Sequence, residues 1–241
     1  MVNYIKEATN KLARKYEVED KSELNLLPGW QFLDKKLTNN DIPLLSWRYN
    51  RKFIELKKIV AQEVVEDVSM LRFCSLGDPG IWSLNSLMYR ELDLCEFLTG
   101  SKIVSLHATL SSNLAGNIIV KMESGVIGSI EIGIQVPSGK PLIERHEIIA
   151  RRGVASDIVV DTQVPQNSIY TYTQKGDFGY KDTDNELFGM DEFQVEWARS
   201  SFELLKSPGQ SEQLIKQHNH LSRLVKSALE SNSNKLKVKV V

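Results

Sequence analysis

The residues of this chain whose types and spacing admit chemistry are few, and most read as structural. His218 and His220 stand two apart in a helix-forming segment; at about 100° per residue they point to different sides of a helix and cannot share a metal ion. His107 lies in an alternating segment opposite Val104, Leu106 and Ala108, which suits a cross-strand polar contact. His146 follows Glu144-Arg145 and precedes Glu147, and reads as a solvent-facing strand residue. Asp182, Asp184 and Glu186 lack the glycine and the spacing of a calcium loop, so they read as a solvated acidic turn. Cys74 and Cys95 sit inside apolar runs, as buried thiols of a reducing cytosol do, rather than in a disulfide scaffold. No G-x-S-x-G, Walker or Cys-x-x-Cys pattern occurs, which leaves hydrolase, nucleoside triphosphatase and zinc chemistry without support. None of the 14 glycines forms a G-x-G-x-x-G turn.

The elements that position these residues follow from hydrophobic period. Tyr4, Ile5, Ala8, Leu12 and Tyr16 recur at helical spacing and predict a helix over 3–17. Residues 20–43, with Pro28-Gly29, Thr38-Asn39-Asn40 and Pro43, read as an irregular connector without a strand-helix-strand unit. Leu44–Tyr49 predicts a short strand, 50–63 a helix, and Val65–Leu76 a strand. Leu84, Leu87, Met88, Leu92, Cys95 and Leu98 mark a helix that Gly100 closes. Strands follow at 102–110, 117–123, 126–136, 142–150, 156–163 and 168–174, then helices at 191–206 and 210–231 and a last strand at 236–241. Along 126–136, Val126, Gly128, Ile130, Ile132, Ile134 and Val136 share a core face, while Ile127, Ser129, Glu131, Gly133 and Gln135 share a mixed one. The pattern predicts an α+β fold: an open, mostly antiparallel sheet covered by helices on one face, with an N-terminal helical segment over 1–39 and the main domain over 40–241.

Composition narrows the partners. With 41% hydrophobic and 25% charged residues and a formal charge of −1, the 241-residue chain has no net field for nucleic acid or an anionic membrane. It has neither a signal-peptide start nor a run of ~20 apolar residues, so a cytoplasmic location is expected.

Several segments resemble a known family in order and spacing. They are Trp47-Arg48-Tyr49-Asn50-Arg51 with Phe53 and Leu56-Lys57; Leu92-Asp93-Leu94 with Phe97-Leu98-Thr99-Gly100; Asn117 to Gly128 around Met122-Glu123-Ser124-Gly125; Glu147 to Gly153; and Ser227-Ala228, Ser231, Lys235 and Val238 to Val240. Together they resemble the C-terminal domain of the glucose-fructose oxidoreductase / inositol dehydrogenase / MocA family, over roughly four fifths of the chain. That resemblance implies a nicotinamide cofactor on a separate glycine-turn domain, a Lys in a Glu-Lys-Pro segment, and an Asp and a His four residues apart on the helix before Gly100. The Glu-Lys-Pro segment does not occur here, and counting back from Gly100 the Asp position falls on Ser86 and the His position on Arg90. Arginine cannot give up its proton as a general base. Tyr89, about 100° around the helix, replaces the base only if the register slips.

Arg90 itself reads either as a surface or interface salt bridge with Glu91 or Asp93, or as an anion or sugar ligand. Arg48, Arg90 and Asp93 are the substrate-binding candidates. The expectation is a non-catalytic, oxidoreductase-like protein that binds no cofactor or metal alone. It acts as a homo-oligomer or with a full-length dehydrogenase paralogue, through Ile127, Ser129, Glu131 and Gln135. The alternative is the substrate-side subunit of a composite sugar or inositol oxidoreductase, whose partner supplies NAD(P).

Overall fold

The computed structural model describes residues 2–18, 23–157, 168–173, 176–181 and 189–240. Helix α1 (Val2–Lys15) leads to strand β1 (Asn25–Pro28), a 3-10 turn at Gly29–Phe32, and strand β2 (Asp41–Leu44). A second 3-10 turn at Ser46–Tyr49 precedes α2 (Arg51–Ala61), β3 (Val68–Leu76) and α3 (Leu84–Thr99). Then come β4 (Ile103–Ser111), β5 (Ala115–Met122), β6 (Ile127–Gly133), β7 (Ile143–Ala150), β8 (Gly153–Ser156), β9 (Ser168–Thr173) and β10 (Gly176–Lys181). Helices α4 (Glu192–Lys206) and α5 (Ser211–Asn234) and strand β11 (Val238–Lys239) close the chain.

Nine of the described strands form one open sheet in the order β10-β9-β8-β7-β3-β6-β5-β4-β11. Only β3 and β6 run parallel, joined by α3 and the β4-β5 hairpin; every other pairing is antiparallel. Its core face carries Leu71, Phe73, Leu106, Ala108, Ile118, Val120, Ile130, Ile132 and Ile148, which pack in one cluster with Phe53 and Leu56 of α2, Leu87, Met88 and Leu92 of α3, and Leu221, Leu224 and Val225 of α5. The fold class is therefore as predicted. Helix α3 begins with a reciprocal cap, in which the Ser83 side chain accepts from Ser86 N and the Ser86 side chain accepts from Ser83 N. It ends at Gly100 in the left-handed conformation that glycine adopts without strain.

Several local expectations are corrected. Residues 25–28 and 41–44 are not an irregular connector but a parallel two-stranded sheet, Asn25 opposite Asp41 and Pro28 opposite Leu44. The prolines were misleading as breakers, because Pro28 ends a strand and Pro43 lies in a pair where each strand is an edge and its missing N–H is tolerated. The strand expected at 44–49 is the end of β2 followed by a 3-10 turn. Strand β8 lies earlier than the expected 156–163, and of that stretch residues 158–163 fall outside the described residues, as do Asp182, Asp184 and Glu186. A bulge between Ile103 and Ser105 turns Val104 outward, to the exposed side with His107. Cys95 is buried, but Cys74 sits half-buried on the other face of β3, and both thiols are free.

All four tryptophans belong to one aromatic chain that ties the N-terminal segment to the rest. Trp30 stacks on Trp47 at 5.3 Å and lies 4.7 Å from Trp82, while Phe193 lies between Trp30 and Trp197 at 5.8 and 5.7 Å. Such pairs add about 0.5–1.5 kcal/mol each beyond their area. Beside Trp30, Gly29 lies against Tyr89, where a Cβ would come 2.3 Å from the hydroxyl oxygen. Gly29→Ala is expected to lower stability by about 1–3 kcal/mol in urea denaturation, whereas Gly209→Ala, with nothing within 4 Å of the added carbon, leaves the midpoint unchanged.

Candidate functional site

Helix α3 is where charge enters the core. Arg90, Glu91, Asp93 and Glu96 are all buried on it, and a buried charge is tolerated only when it is paired and hydrogen-bonded. Arg90 donates from Nη1 to Glu91 Oε1 at 2.6 Å and from Nη2 to Glu144 Oε2 at 2.6 Å. Glu144 also takes Lys52, whose ammonium lies 3.1 Å from Glu192. Glu91 accepts from Ser75 Oγ at 2.9 Å and meets His146 Nε2 at 3.0 Å, and the other ring nitrogen of His146 meets Asp157 Oδ2 at 2.6 Å. Glu196 completes the group, accepting from Ser46 Oγ at 3.2 Å and Asn50 Nδ2 at 3.4 Å.

The protonation states follow from these contacts. Burial alone would lower the His146 pKa, but the carboxylates of Asp157 and Glu91 outweigh it and lift the imidazole to about 9. With an acceptor on each ring nitrogen, imidazolium is the form that satisfies both. Burial opposes ionisation of Glu144, yet Arg90 and Lys52 hold it well below the usual carboxylate range. Burial also opposes the charge on Arg90, and Glu144 and Glu91 more than compensate. Glu196 goes the other way: burial, against the pull of Arg90, raises it to about 8, so it is protonated at neutral pH.

The sequence-predicted site residues separate into distinct places. Ser86 is spent on the helix cap, accepting from Ser83 N at 2.9 Å and donating to the Ser83 carbonyl at 2.7 Å. Tyr89 turns toward α5, where its hydroxyl meets His218 Nδ1 at 3.0 Å; burial raises its pKa far above the ordinary value and keeps it a phenol. Arg48 and Asp93 pair with each other, Arg48 Nε donating to Asp93 Oδ2 at 2.8 Å, and Trp47 Nε1 and Gln217 Nε2 donate to the same carboxylate. They pair with each other and do not meet Arg90. Arg90 is no surface residue: it is 2% exposed, and of its two expected partners only Glu91 is used. His220 pairs with Glu96 at 2.8 Å, on a different side of α5 from the His218 contact. Among the described residues no cluster of histidine, cysteine or carboxylate side chains is arranged to hold a metal.

His146 is the main correction, since it is buried rather than solvent-facing. The signal was present: it is two residues from Ile148, whose core face it must share. The burial of Glu91, an expected partner of Arg90, follows in the same way, for it occupies the apolar stripe of α3 between Met88 and Cys95. Glu144 shares that face of β7 with His146 and Ile148, whereas Lys52 and Glu196 carry no comparable signal, because their partners lie on β7, α4 and the turn before α2.

Beside this cluster lies a cavity of about 160 Å³ whose lining includes Arg90, Glu144, Glu192, Glu196, Trp82 and Phe193. Arg90 Nε is the one buried side-chain nitrogen or oxygen without a hydrogen-bond partner among the described residues. Arg90 itself, held ionised by Glu144 and Glu91, cannot accept a proton.

The charge cluster has a pH signature. Between pH 6.5 and 9 the native protein keeps a proton on His146 that the unfolded chain has released, and between pH 4.5 and 8 Glu196 does the same. Both make stability fall as pH rises through those windows. Glu96, held near 2 against burial by hydrogen bonds from His220 and Lys102, makes stability fall as pH drops below 4.5. Unfolding free energy is therefore expected to decline on the order of 5 kcal/mol from pH 6.5 to 9 in denaturant titrations, about half of it from His146. His146→Gln should lower stability and flatten that decline; an equally steep decline in the variant would contradict the assignment.

No protein-family profile and no curated protein matches the chain. Solved structures do. An oxidoreductase from Pseudomonas syringae superposes with a TM-score of 0.65 at 13% identity, covering 83% of this chain and 64% of that one. Levoglucosan dehydrogenase, in complex with NADH and levoglucosan, gives 0.64 at 12% identity over 81% and 65%. An inositol dehydrogenase homolog from Azotobacter vinelandii, complexed with NADH and myo-inositol, gives 0.61 at 12% over 83% and 64%. The chain spans about 64% of the length of these neighbours. It has the fold of a part of these oxidoreductases, the likeness that its segments had suggested.

Proposed function

We propose that this chain is a non-catalytic, oxidoreductase-like protein that works by association through the open face of its sheet. The observation that supports this is the composition of that face. Leu76, Ile119, Ile127 and Ile143 project from four adjacent strands and are 36%, 40%, 47% and 56% exposed, while the helices cluster against the opposite face. The register sets the outward residues in cross-strand rows: Ile119, Ser129, Arg72 and Glu147 in one, and Lys121, Ile127, Met70 and Ile149 in the next. An apolar band interrupted by charges of both signs suits a self-complementary interface better than open water. The occupant is a second copy of the chain or a related dehydrogenase presenting the same face. The absence of a base at Arg90 is the chemical side of the proposal, since fold likeness by itself carries no activity.

A second reading is favoured by the cavity beside Arg90. A substrate-side subunit would need such a cavity, with a partner chain bringing NAD(P) and the missing lysine. Sugar-dependent formation of NAD(P)H on mixing the unmutated chain with a cofactor-domain partner would support this reading and end the non-catalytic one.

Association is checked by light scattering at micromolar concentration, with a dimer or larger species expected. Ile127→Asp places a charge in the centre of the apolar band and should yield a monomer that still unfolds cooperatively, at a midpoint lowered by the lost association. A wild-type chain that stays monomeric, alone and with the dehydrogenase, contradicts the proposal. Titration with NADH followed by fluorescence is expected to give no saturable change, and micromolar binding would overturn that part of it.

A further inference from the structure

The open face of the sheet carries a charge pattern that selects what covers it. Arg145 of β7, Cys74 of β3 and Glu131 of β6 stand side by side in one cross-strand row. Arg145 and Arg72 both bind Glu147, Arg145 through its Nε at 3.0 Å, so two guanidinium groups share one carboxylate and one positive charge is left over. Glu131 is exposed, as Arg145 is, and its side chain makes no ion pair among the described residues. The two do not meet within the chain, since two strand spacings, roughly 10 Å, separate them. In water such a separation costs little. Covered by a partner, an ion without a counter-ion is expensive. Each copy therefore presents both halves of an ion pair on the strands that flank β3.

We propose that this face joins two copies of the chain about a two-fold axis running along β3, so that Arg145 of each copy pairs with Glu131 of the other. The inference rests on the association proposed above and narrows its occupant to a second copy. Strand β3 is the middle of the sheet, with four strands on either side, so an axis above it lays one whole face on the other and brings β7 of one copy over β6 of its partner. The same operation sets Ile127 over Ile149, its neighbour in the next row but one, and places Met70 and Leu76 against their own copies. Arg72 also lies beneath the axis, but it leans toward Glu147 on β7, and the symmetry sends the two Arg72 side chains in opposite directions. An axis across the strands would instead stack β6 on β6, whose outward residues Ile127, Ser129, Glu131 and Gly133 include no cation. An unrelated surface need not carry both complementary charges; a second copy carries them by symmetry.

Charge exchange, read by light scattering at micromolar concentration, tests the pairing. Arg145→Glu alone sets carboxylate against carboxylate at both contacts, and Glu131→Arg alone sets guanidinium against guanidinium; each is expected to weaken the dimer at least tenfold. Mixed in equal amounts, the two variants carry opposite charges at both contacts and should form a one-to-one heterodimer, identified by native mass spectrometry. Recovery on mixing separates lost pairing from lost folding. Should a charge reversal prevent folding, the milder Glu131→Gln and Arg145→Gln serve in its place: the double variant is expected to bind no more weakly than either single one, and additive losses would overturn the pairing. So would a folded mixture that stays dissociated, single variants that dimerise as tightly as the wild type, or rescue of Glu131→Arg by Arg72→Glu rather than by Arg145→Glu. A wild-type chain that stays monomeric removes the association itself, whereas a wild-type dimer indifferent to these exchanges removes only the axis.

Discussion

The structure depends most on how α3 places Arg90, Glu91, Asp93 and Glu96 in the core without leaving any of them uncompensated. Each takes partners from different elements. Glu91 is met by Ser75 of β3 and His146 of β7, and Arg90 by Glu144 of β7. Asp93 is met by Trp47 and Arg48 from the turn before α2 and by Gln217 of α5, and Glu96 by the Ile103 amide of β4 and His220 of α5. An apolar helix in the same place could rotate or slide at modest cost. This one cannot, because any shift of a turn strands charges in a medium where an uncompensated ion costs several kcal/mol. The cluster thus sets the orientation of the helix, while the apolar side chains around it supply the bulk of the stabilisation.

That same arrangement decides the chemistry. A general base needs a group that is unprotonated near neutral pH and within reach of a substrate proton. At Arg90 the surrounding carboxylates act in the opposite sense and make the proton harder to remove. Glu196, which also lines the cavity, is raised by burial to about 8 and is held by Ser46 and Asn50.

What the sequence made legible was whatever depends on period and on local caps. The α3 stripe and its glycine stop, the β5-β6 hairpin at Ser124-Gly125 and the two faces of β6 all follow from neighbours a few residues away, and all are present. What it concealed depends on partners far along the chain. Pro28 and Pro43 look like breakers until their strands are seen to pair only with each other. His146 looked solvated because its chain neighbours are charged, but Asp157 and Glu91, eleven and fifty-five residues away, make an internal imidazolium satisfiable. Arg90 stands out by its position, and Glu91 is a partner that its own helix offers; Glu144 is fifty-four residues on, and nothing local pairs it with Arg90.

Strand β7 shows how closely the two faces of the molecule are bound to one register. Glu144, His146 and Ile148 point toward α3, while Ile143, Arg145 and Glu147 line the open face, where Arg145 and Arg72 both reach Glu147. Side chains alternate with a period of two, so sliding β7 by one residue against β3 would exchange these sets. Arg145 would then enter the core in place of His146, opposite Glu91 but without a second acceptor in the position of Asp157, and Glu144 would leave Arg90 and Lys52 uncompensated. The apolar residue at the strand start would move from the open face to the ion cluster. The charges on α3 therefore hold the outer surface in order as well: by forbidding every other register of β7, they determine which residues that surface presents.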